Sequence, residues 1–154
     1  MWRTIQRALL IVLAGSTVGL VTNAISPRGI PYIAPPTPRL QASDIVPFQE
    51  VQELWKGGAT FFLDARSPAD YAAGHIANAF SLPVEDFDQY YPHVAAMLTP
   101  DSSIVVYCDG QQCDLSHRLM VKLRALGYGH VRALVNGWTV WQTAGLPSHR
   151  GEQP

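Results

Sequence analysis

Charged residues are scarce in this chain, and the charge that is present nearly cancels. Only 15% of its 154 residues are Asp, Glu, Lys or Arg, against about 25% in ordinary soluble domains, so part of the chain is expected to avoid water. The 11 basic and 12 acidic residues argue against a broad nucleic-acid surface, which needs clustered Lys and Arg. The sequence also lacks a nucleotide-binding loop or an organic-cofactor motif. We therefore expect no nucleic-acid partner and no cofactor.

Cysteine is almost absent as well. The two cysteines, Cys108 and Cys113, are too few for the disulfide framework that stabilises small secreted folds. A chain of this length can form one domain with a hydrophobic core of its own, plus an appendage. The two cysteines therefore need a local explanation.

An uncharged stretch lies near the N-terminus, where residues 8–25 read ALLIVLAGSTVGLVTNAI. As a helix it would be about 27 Å long, just enough for a bilayer core of about 30 Å. Two interpretations stay open: an uncleaved membrane anchor, or a signal peptide cleaved near Ala24. Arg3 and Arg7 precede the stretch and favour a cytoplasmic N-terminus. The following domain is thus predicted to be anchored outside the cytoplasm, or secreted or periplasmic after cleavage.

The chain divides into four predicted segments. Residues 1–25 are the membrane anchor or signal segment, 26–42 a Pro-rich linker, 43–148 a domain, and 149–154 a tail. Proline fixes φ and lacks an N–H, so the linker is predicted to be an extended spacer.

Helix-period and strand-like stretches alternate through the domain. This alternation predicts an α/β fold with a parallel central sheet covered by helices on both faces. Strands are expected over residues 60–63, 78–82, 103–107 and 130–135. The expected helices run from Phe48 to Gly57-Gly58, from the cap Ser67 to Gly74, over 85–98 with a kink or break near Pro92, from Leu115 to the stop at Gly127, and over 138–144 after a turn at Asn136-Gly137.

The stretch around Cys108 predicts a reactive site. Cys108 directly follows the strand at 103–107, and sites in open α/β sheets lie beyond the carboxyl ends of strands. Gly110 permits positive φ, so the following loop can turn its backbone N–H groups inward, and the next helix adds its positive dipole end. Both would stabilise a thiolate or a persulfide. The alternative is that Cys108 is a small buried hydrophobic residue. The predicted substrate-binding loop comprises Asp109, Gly110, Gln111, Gln112, Cys113 and Asp114.

Three motifs in order resemble the rhodanese (thiosulfate sulfurtransferase-like) family over residues 43–147. They are LDARSPADYAAGHIANAFSLP at 63–83, VYC at 106–108 and ALGYGHVRALVNGWTVWQTAGLP at 125–147. The resemblance implies a three-layer fold with a parallel sheet of about five strands flanked by helices. It also implies a sulfurtransferase that carries a sulfane sulfur as a persulfide on Cys108 and passes it from a donor to a thiol acceptor.

The resemblance implies roles for residues outside the loop. Asp64 and Arg66 match positions that brace the catalytic loop, although as plain loop residues they would simply pair with each other. His75, in its Gly-His-Ile context, is expected to make a structural hydrogen bond. Trp138 and Trp141 are expected to pack in the core or over it. Asn136 occupies a place where many relatives have glycine, and Asn tolerates left-handed backbone.

The loop departs from the family pattern. A common rhodanese loop reads Cys-x-x-Gly-x-Arg-Ser, whereas residues 108–116 here read CDGQQCDLS, without the arginine. Asp109 and Asp114 oppose a thiolate and repel anionic donors such as thiosulfate, which favours a protein or small-thiol persulfide as donor. Related phosphatases and arsenate reductases use Cys-x5-Arg, in which Arg clamps the oxyanion. The corresponding residue here is Asp114, so phosphatase chemistry is not expected.

Cys113 is the second departure. It can act as a resolving thiol that attacks a persulfide on Cys108, releases sulfide and leaves a disulfide, or it can be passive. A metal site formed by Cys108, Cys113 and His117 lacks a fourth ligand, so none is expected. Three functions stay open: sulfur transfer, thiol–disulfide exchange by the cysteine pair, and an inactive rhodanese module that binds a partner at the membrane.

Overall fold

The computed structural model describes residues 2–26, 40–110 and 114–152. The chain divides into two compact units, Met1–Thr37 and Pro38–Pro154. Most of the predicted Pro-rich linker lies outside the described residues, as do Gln111, Gln112 and Cys113 of the predicted loop.

The described part of the first unit is a single apolar helix, α1 (Trp2–Ile25). None of its side chains is buried, and its length is about 36 Å at 1.5 Å per residue. The hydroxyls of Thr17 and Thr22 donate to carbonyls four residues earlier, at 2.7 and 2.8 Å. Their hydrogen-bond donors are therefore paired within the helix. The helix is long and apolar enough for a membrane anchor, and a signal sequence has the same features.

The second unit alternates strands and helices, as the sequence predicts. In chain order its elements are a short 3-10 helix (Ala42–Asp44), α2 (Phe48–Gly57), β1 (Thr60–Asp64), α3 (Pro68–Ala73), β2 (His75–Ile76), β3 (Phe80–Ser81), α4 (Phe87–Ala95), β4 (Ser103–Tyr107), α5 (Leu115–Ala125), β5 (Val131–Leu134), α6 (Gly137–Thr143) and β6 (Ser148–His149). The main sheet is parallel with the order β3-β1-β4-β5, which confirms the predicted α/β class.

The parallel sheet was expected to have about five strands. Among the described residues the parallel sheet has four strands, and a fifth position next to β5 holds one isolated parallel bridge between Ile45 and Ala133. The Val46 N–H donates to the Ala133 carbonyl at 3.0 Å. Pro47 follows at once, has no N–H to extend the ladder, and is the N-cap of α2. The chain therefore leaves the sheet after a single contact.

Two predicted elements are shorter than expected. The strand at 78–82 shrinks to β3 because Asn78 adopts a left-handed backbone, with φ of 67°. The helix at 85–98 becomes α4, which continues through Pro92 without a break. Pro92 has no N–H to bond the Asp88 carbonyl, and α4 ends three residues later at Ala95.

A second, two-stranded sheet was not predicted. β2 and β6 pair antiparallel, with His75 opposite His149 and Ile76 opposite Ser148. Each strand has only two residues, too few to show the alternating pattern that predicts a strand. The paired residues are more than 70 positions apart, so no local sequence pattern indicates the pairing.

The residues of β4 alternate between two hydrophobic cores. Ile104, Val106 and the following Cys108 pack in the core that includes Leu119 and Leu123 of α5. Val105 and Tyr107 pack in the other core, with Trp141 of α6 and Val51 of α2. Because side chains alternate along a strand, the sulfur of Cys108 faces the α5 side.

Candidate active site at the end of the central strand

Cys108 lies where β4 ends, and its side chain is buried. It is 1% exposed and packs in the same core as Leu119 and Met120. Its Sγ lies 3.3 Å from Oγ of Ser116, in the first turn of α5. The first α5 turn has unsatisfied N–H groups and the positive end of the helix dipole. The sulfur is thus both a packed core atom and a neighbour of groups that favour negative charge.

Cys108 is disulfide-bonded in this structure. The sequence contains one other cysteine, Cys113, which lies outside the described residues. A reductant must therefore act before the thiolate of Cys108 is available.

The start of the loop after Cys108 is attached to α6. The Trp138 N–H donates to the Cys108 carbonyl at 3.2 Å. The Gly110 N–H donates to Oδ1 of Asn136 at 2.9 Å and lies at the same distance from Oδ1 of Asp109. The Thr139 hydroxyl donates to the Asp109 carboxylate. Gly110 has the expected positive φ, 81°, but its N–H is directed to the α6 side rather than to the sulfur.

The Asn136-Gly137 pair makes this attachment possible. Asn136 adopts left-handed backbone, with φ of 52°, and is the N-cap of α6. A Cβ on Gly137 would lie 2.6 Å from Cβ of Tyr107 and 3.1 Å from Cδ2 of Leu134. A residue without a side chain is therefore required for α6 to approach the end of β4 this closely.

Asp64 and Arg66 form a buried ion pair. Nε and Nη2 of Arg66 donate to the Asp64 carboxylate, the closest contact being 2.6 Å, and Nη2 also donates to the Gly74 carbonyl at 2.7 Å. Burial disfavours the charged guanidinium, but the hydrogen bonds and charge of Asp64 outweigh it and raise the pKa of Arg66. The pair joins the end of β1 to the end of α3.

The same ion pair reaches α6 through aromatic rings. The Arg66 guanidinium carbon lies 4.9 Å from the centroid of the Trp138 ring and 5.9 Å from that of Tyr107. The Tyr107 hydroxyl accepts a hydrogen bond from the Ile76 N–H at 3.2 Å. Burial, reinforced by the charge of Asp64, holds the pKa of Tyr107 well above its usual value. Arg66 thus pairs with Asp64 and also contacts Trp138, whose N–H donates to the Cys108 carbonyl.

A cavity of about 230 Å³ opens at this end of the sheet. Its described lining is Arg66, Asp70, Asp109 and Leu115. The charge of Arg66 is already balanced by Asp64, so the two remaining carboxylates make the cavity acidic. Arg118, the first basic residue of α5, is bonded to Glu85 at 2.6 Å.

Two larger cavities lie away from Cys108. The first, about 370 Å³, is lined by residues including Trp55, Phe61 and Phe80. The second, about 360 Å³, is lined by residues including Ser103 and Arg124. Neither cavity contains a residue of the predicted site.

His75 has a structural environment, as expected. Its ring is fully buried, stacks on Tyr71 with centroids 3.7 Å apart, and places Nδ1 2.9 Å from the Tyr71 carbonyl. Trp141 is also fully buried. Within residues 2–26, 40–110 and 114–152, no three His, Cys, Asp or Glu side chains form a group that could hold a metal ion.

Sequence reasoning missed several contacts around Cys108. Thr139 and the side chain of Asn136 lie about 30 positions further along the chain and carry no local signal of contact with the loop. Ser116 lies just after the predicted loop and was assigned no role there, whereas the structure places its hydroxyl beside the sulfur. Asp114 is the N-cap of α5, but its side chain makes no capping hydrogen bond.

Residues 48–144 match the model of the family described as "Rhodanese-like domain". The chain is 31% identical over 108 residues to the "HTH-type transcriptional regulator Rv0324" of Mycobacterium tuberculosis, covering 70% of this chain and 46% of that protein. It is 36% identical over 64 residues to the "tRNA uridine(34) hydroxylase" of Photorhabdus laumondii, covering 40% and 18% respectively. The chain thus spans less than half the length of these relatives.

Solved structures show the same fold. The "Rhodanese_3 like domain" of the Alr3790 protein from Anabaena sp. is 29% identical, with a TM-score of 0.52, and the match covers 62% of this chain and 97% of that one.

Proposed function

Because the chain belongs to the rhodanese-like domain family, we propose that it is a sulfurtransferase in which Cys108 carries a sulfane sulfur as a persulfide and passes it to a thiol acceptor. The observation that carries the proposal is the position of Cys108. It follows the central strand directly, with Sγ 3.3 Å from Ser116 in the first turn of α5.

The proposed cycle conserves atoms and charge. A thiol reductant first cleaves the disulfide of Cys108 and is itself oxidised to a disulfide. The Cys108 thiolate then attacks the sulfane sulfur of a persulfide donor R–S–SH; the new S–S bond forms as the donor S–S bond breaks, and the donor leaves as the thiol R–SH. The acceptor thiolate attacks the outer sulfur of the Cys108 persulfide, which forms the acceptor persulfide and restores the Cys108 thiolate.

Two features near the sulfur support an anionic intermediate. The α5 N-terminus presents free N–H groups and a positive dipole end, and the Ser116 hydroxyl can donate to a sulfur anion. The carboxylates of Asp109 and Asp114, in contrast, disfavour negative charge on the sulfur. Their repulsion should be larger for a donor that is itself anionic.

The acidic cavity favours particular donors. Asp70 and Asp109 line it, and the one cation in its described lining, Arg66, is paired with Asp64. A thiosulfate dianion would meet repulsion there, because the two carboxylates carry charge of the same sign. We therefore propose a small-thiol or protein persulfide as donor and a thiol as acceptor.

Intact-mass analysis of the full chain in detergent micelles tests this proposal. After reduction and removal of the reductant, the chain is incubated with cysteamine persulfide, whose ammonium group offsets its negative charge, or with thiosulfate. A gain of about 32 Da that dithiothreitol reverses is expected with the persulfide, and a much smaller yield with thiosulfate. Cys113→Ser should still gain this mass, whereas Cys108→Ser should not.

A Cys108→Ser chain that gained sulfur as fast as the parent would contradict the proposal. No mass gain by the parent with either donor would also contradict it. That result would favour an inactive module that binds a partner at the membrane.

The disulfide at Cys108 favours a second candidate function, thiol–disulfide exchange. In that case Cys108 and Cys113 would cycle between dithiol and disulfide, and a partner thiol would supply or accept the two electrons. Equilibration in glutathione buffers of graded potential, followed by alkylation and mass analysis, separates the two functions. A transition within the range of cellular thiol buffers supports exchange, whereas cysteines that stay reduced at every potential contradict it.

We further propose that α1 anchors the domain outside the cytoplasm. Arg3 and Arg7 at the start of α1 favour a cytoplasmic N-terminus, and the disulfide at Cys108 suits an oxidising compartment. Alkaline carbonate extraction of membranes and N-terminal sequencing test this. Retention in the membrane with an intact N-terminus supports an anchor, and a new N-terminus after Ala24 would instead indicate a cleaved signal peptide.

A further inference from the structure

The residue that follows Cys108 carries a negative charge, and α6 holds that charge in place. The Asp109 carboxylate accepts a hydrogen bond from the Thr139 hydroxyl, and its Oδ1 lies 2.9 Å from the Gly110 N–H. The sulfur of Cys108, which is disulfide-bonded in this structure, lies 3.3 Å from Oγ of Ser116 of α5. The sulfur and the adjacent carboxylate therefore contact two different helices.

This separation matters because a nearby carboxylate disfavours a thiolate. An Asp side chain rotates freely about χ1 and χ2 unless something holds it. A hydrogen bond from a hydroxyl to a carboxylate is charge-assisted. It therefore restricts the rotamer of the Asp side chain and stabilises the negative charge where it lies. Without that bond, the Asp109 carboxylate could occupy rotamers closer to the sulfur.

The other ionisable groups at this end of the sheet either have partners of their own or lie on the α5 side. They are Asp64 and Arg66, which pair with each other; Asp70, which accepts from Ser67; Arg118, bonded to Glu85; Tyr107, bonded to the Ile76 N–H; and the buried His117 and the exposed Asp114, both on the α5 side. Among the acids, Asp109 is adjacent to Cys108 in sequence and is bonded to a side chain of α6. Its carboxylate is therefore held by one side chain, Thr139 of α6, together with the neighbouring Gly110 N–H.

We propose that Thr139 is a positioning residue for Cys108: by holding the Asp109 carboxylate on α6, it keeps this negative charge away from the reacting sulfur and preserves the nucleophilicity of Cys108. The proposal deepens the sulfurtransferase function and rests on it only in taking Cys108 as the reacting group. Thr139 itself touches neither the sulfur nor the cavity. Its effect passes through Asp109.

The pH dependence of Cys108 alkylation tests the proposal. The full chain carries Cys113→Ser, so that Cys108 is the sole thiol, and iodoacetamide rates are measured across pH in detergent micelles. Thr139→Val is expected to move the midpoint upward by about half a pH unit and to slow alkylation at neutral pH about threefold. Thr139→Ser keeps the hydroxyl and should coincide with the parent.

Two further variants identify the cause. Thr143→Val removes another hydroxyl of α6, which donates to the Thr139 carbonyl at 2.7 Å and does not touch the loop, so it should leave the profile unchanged. Asp109→Asn should make the chain insensitive to Thr139→Val, because no carboxylate is left to release. Thr139 is exposed, so loss of folding is not expected, and the unfolding midpoint of each variant checks this.

Two outcomes would overturn the proposal. One is a Thr139→Val profile that superimposes on the parent. The other is a shift that persists in full in the Asp109→Asn background. Failure of the sulfurtransferase function looks different, because alkylation reports on the thiol and the mass gain reports on sulfur uptake. A chain with the expected alkylation profiles but no sulfur uptake would contradict only the proposed function.

Discussion

Where β4 ends, the side that faces α5 is mostly apolar, whereas the side that faces α6 is rich in hydrogen bonds. On the α5 side, Cys108 packs near Leu119, and Ser116 supplies a hydroxyl. On the α6 side, one buried ion pair, two aromatic rings and several backbone hydrogen bonds converge. We infer that the α6 side holds Asp109 and Gly110 in place, whereas the α5 side sets the reactivity of the sulfur.

The largest change in the free energy of unfolding is expected when the Asp64–Arg66 ion pair on the α6 side is removed. Arg66→Met should lower the free energy of unfolding by about 3–5 kcal/mol, because Asp64 is fully buried and would lose its charge partner. Chemical denaturation followed by circular dichroism measures this. Lys56→Met is the matched control, since Lys56 makes an exposed ion pair with Glu53 and its loss should cost less than about 1 kcal/mol. Equal losses in the two variants would mean that the buried pair does not stabilise the α6 side.

A smaller effect is expected where α6 meets β4. Gly137→Ala should lower the free energy of unfolding by about 1–3 kcal/mol, because the new methyl group would lie 2.6 Å from Cβ of Tyr107. Gly129→Ala is the control, since a Cβ there would meet nothing within 4 Å. Thermal unfolding distinguishes the two. A Gly137→Ala chain as stable as Gly129→Ala would show that α6 can move away from the strand without cost.

The smallest effect on stability is expected on the α5 side, together with a change in reactivity. Ser116→Ala should alter the free energy of unfolding by about 1 kcal/mol or less. It should raise the pKa of the reduced Cys108 thiol, because the thiolate loses a hydrogen-bond donor 3.3 Å away. Alkylation rates across pH in the Cys113→Ser chain measure this, and Ser116→Thr should restore part of the effect. If the pH profile of alkylation were unchanged in Ser116→Ala, the inference that the α5 side sets the reactivity of Cys108 would be wrong.

Much of the fold could be predicted from the sequence because its signals are local. The apolar run of β4 was predicted with the observed bounds, and the Ser67-Pro68 start of α3 follows from capping preferences: the Ser67 hydroxyl accepts the Asp70 N–H at 3.2 Å. The position of Cys108 after β4 could be predicted for the same reason. The sequence did not predict that the fifth strand position would hold a single bridge, between Ile45 and Ala133. That outcome depends on where Pro47, which lacks an N–H, lies relative to β5.

The sequence by itself determined the order of elements, the placement of Cys108 after the central strand, and an apolar N-terminal helix, because each depends on neighbouring residues. The tertiary structure alone decided which helix each group faces. Strand alternation and packing turn the sulfur toward α5, whereas hydrogen bonds to Asn136 and Thr139, 26 and 30 positions away, hold Gly110 and Asp109 on α6. Such contacts form only when the parallel sheet brings the ends of β4 and β5 together, and that is why no local pattern could reveal them.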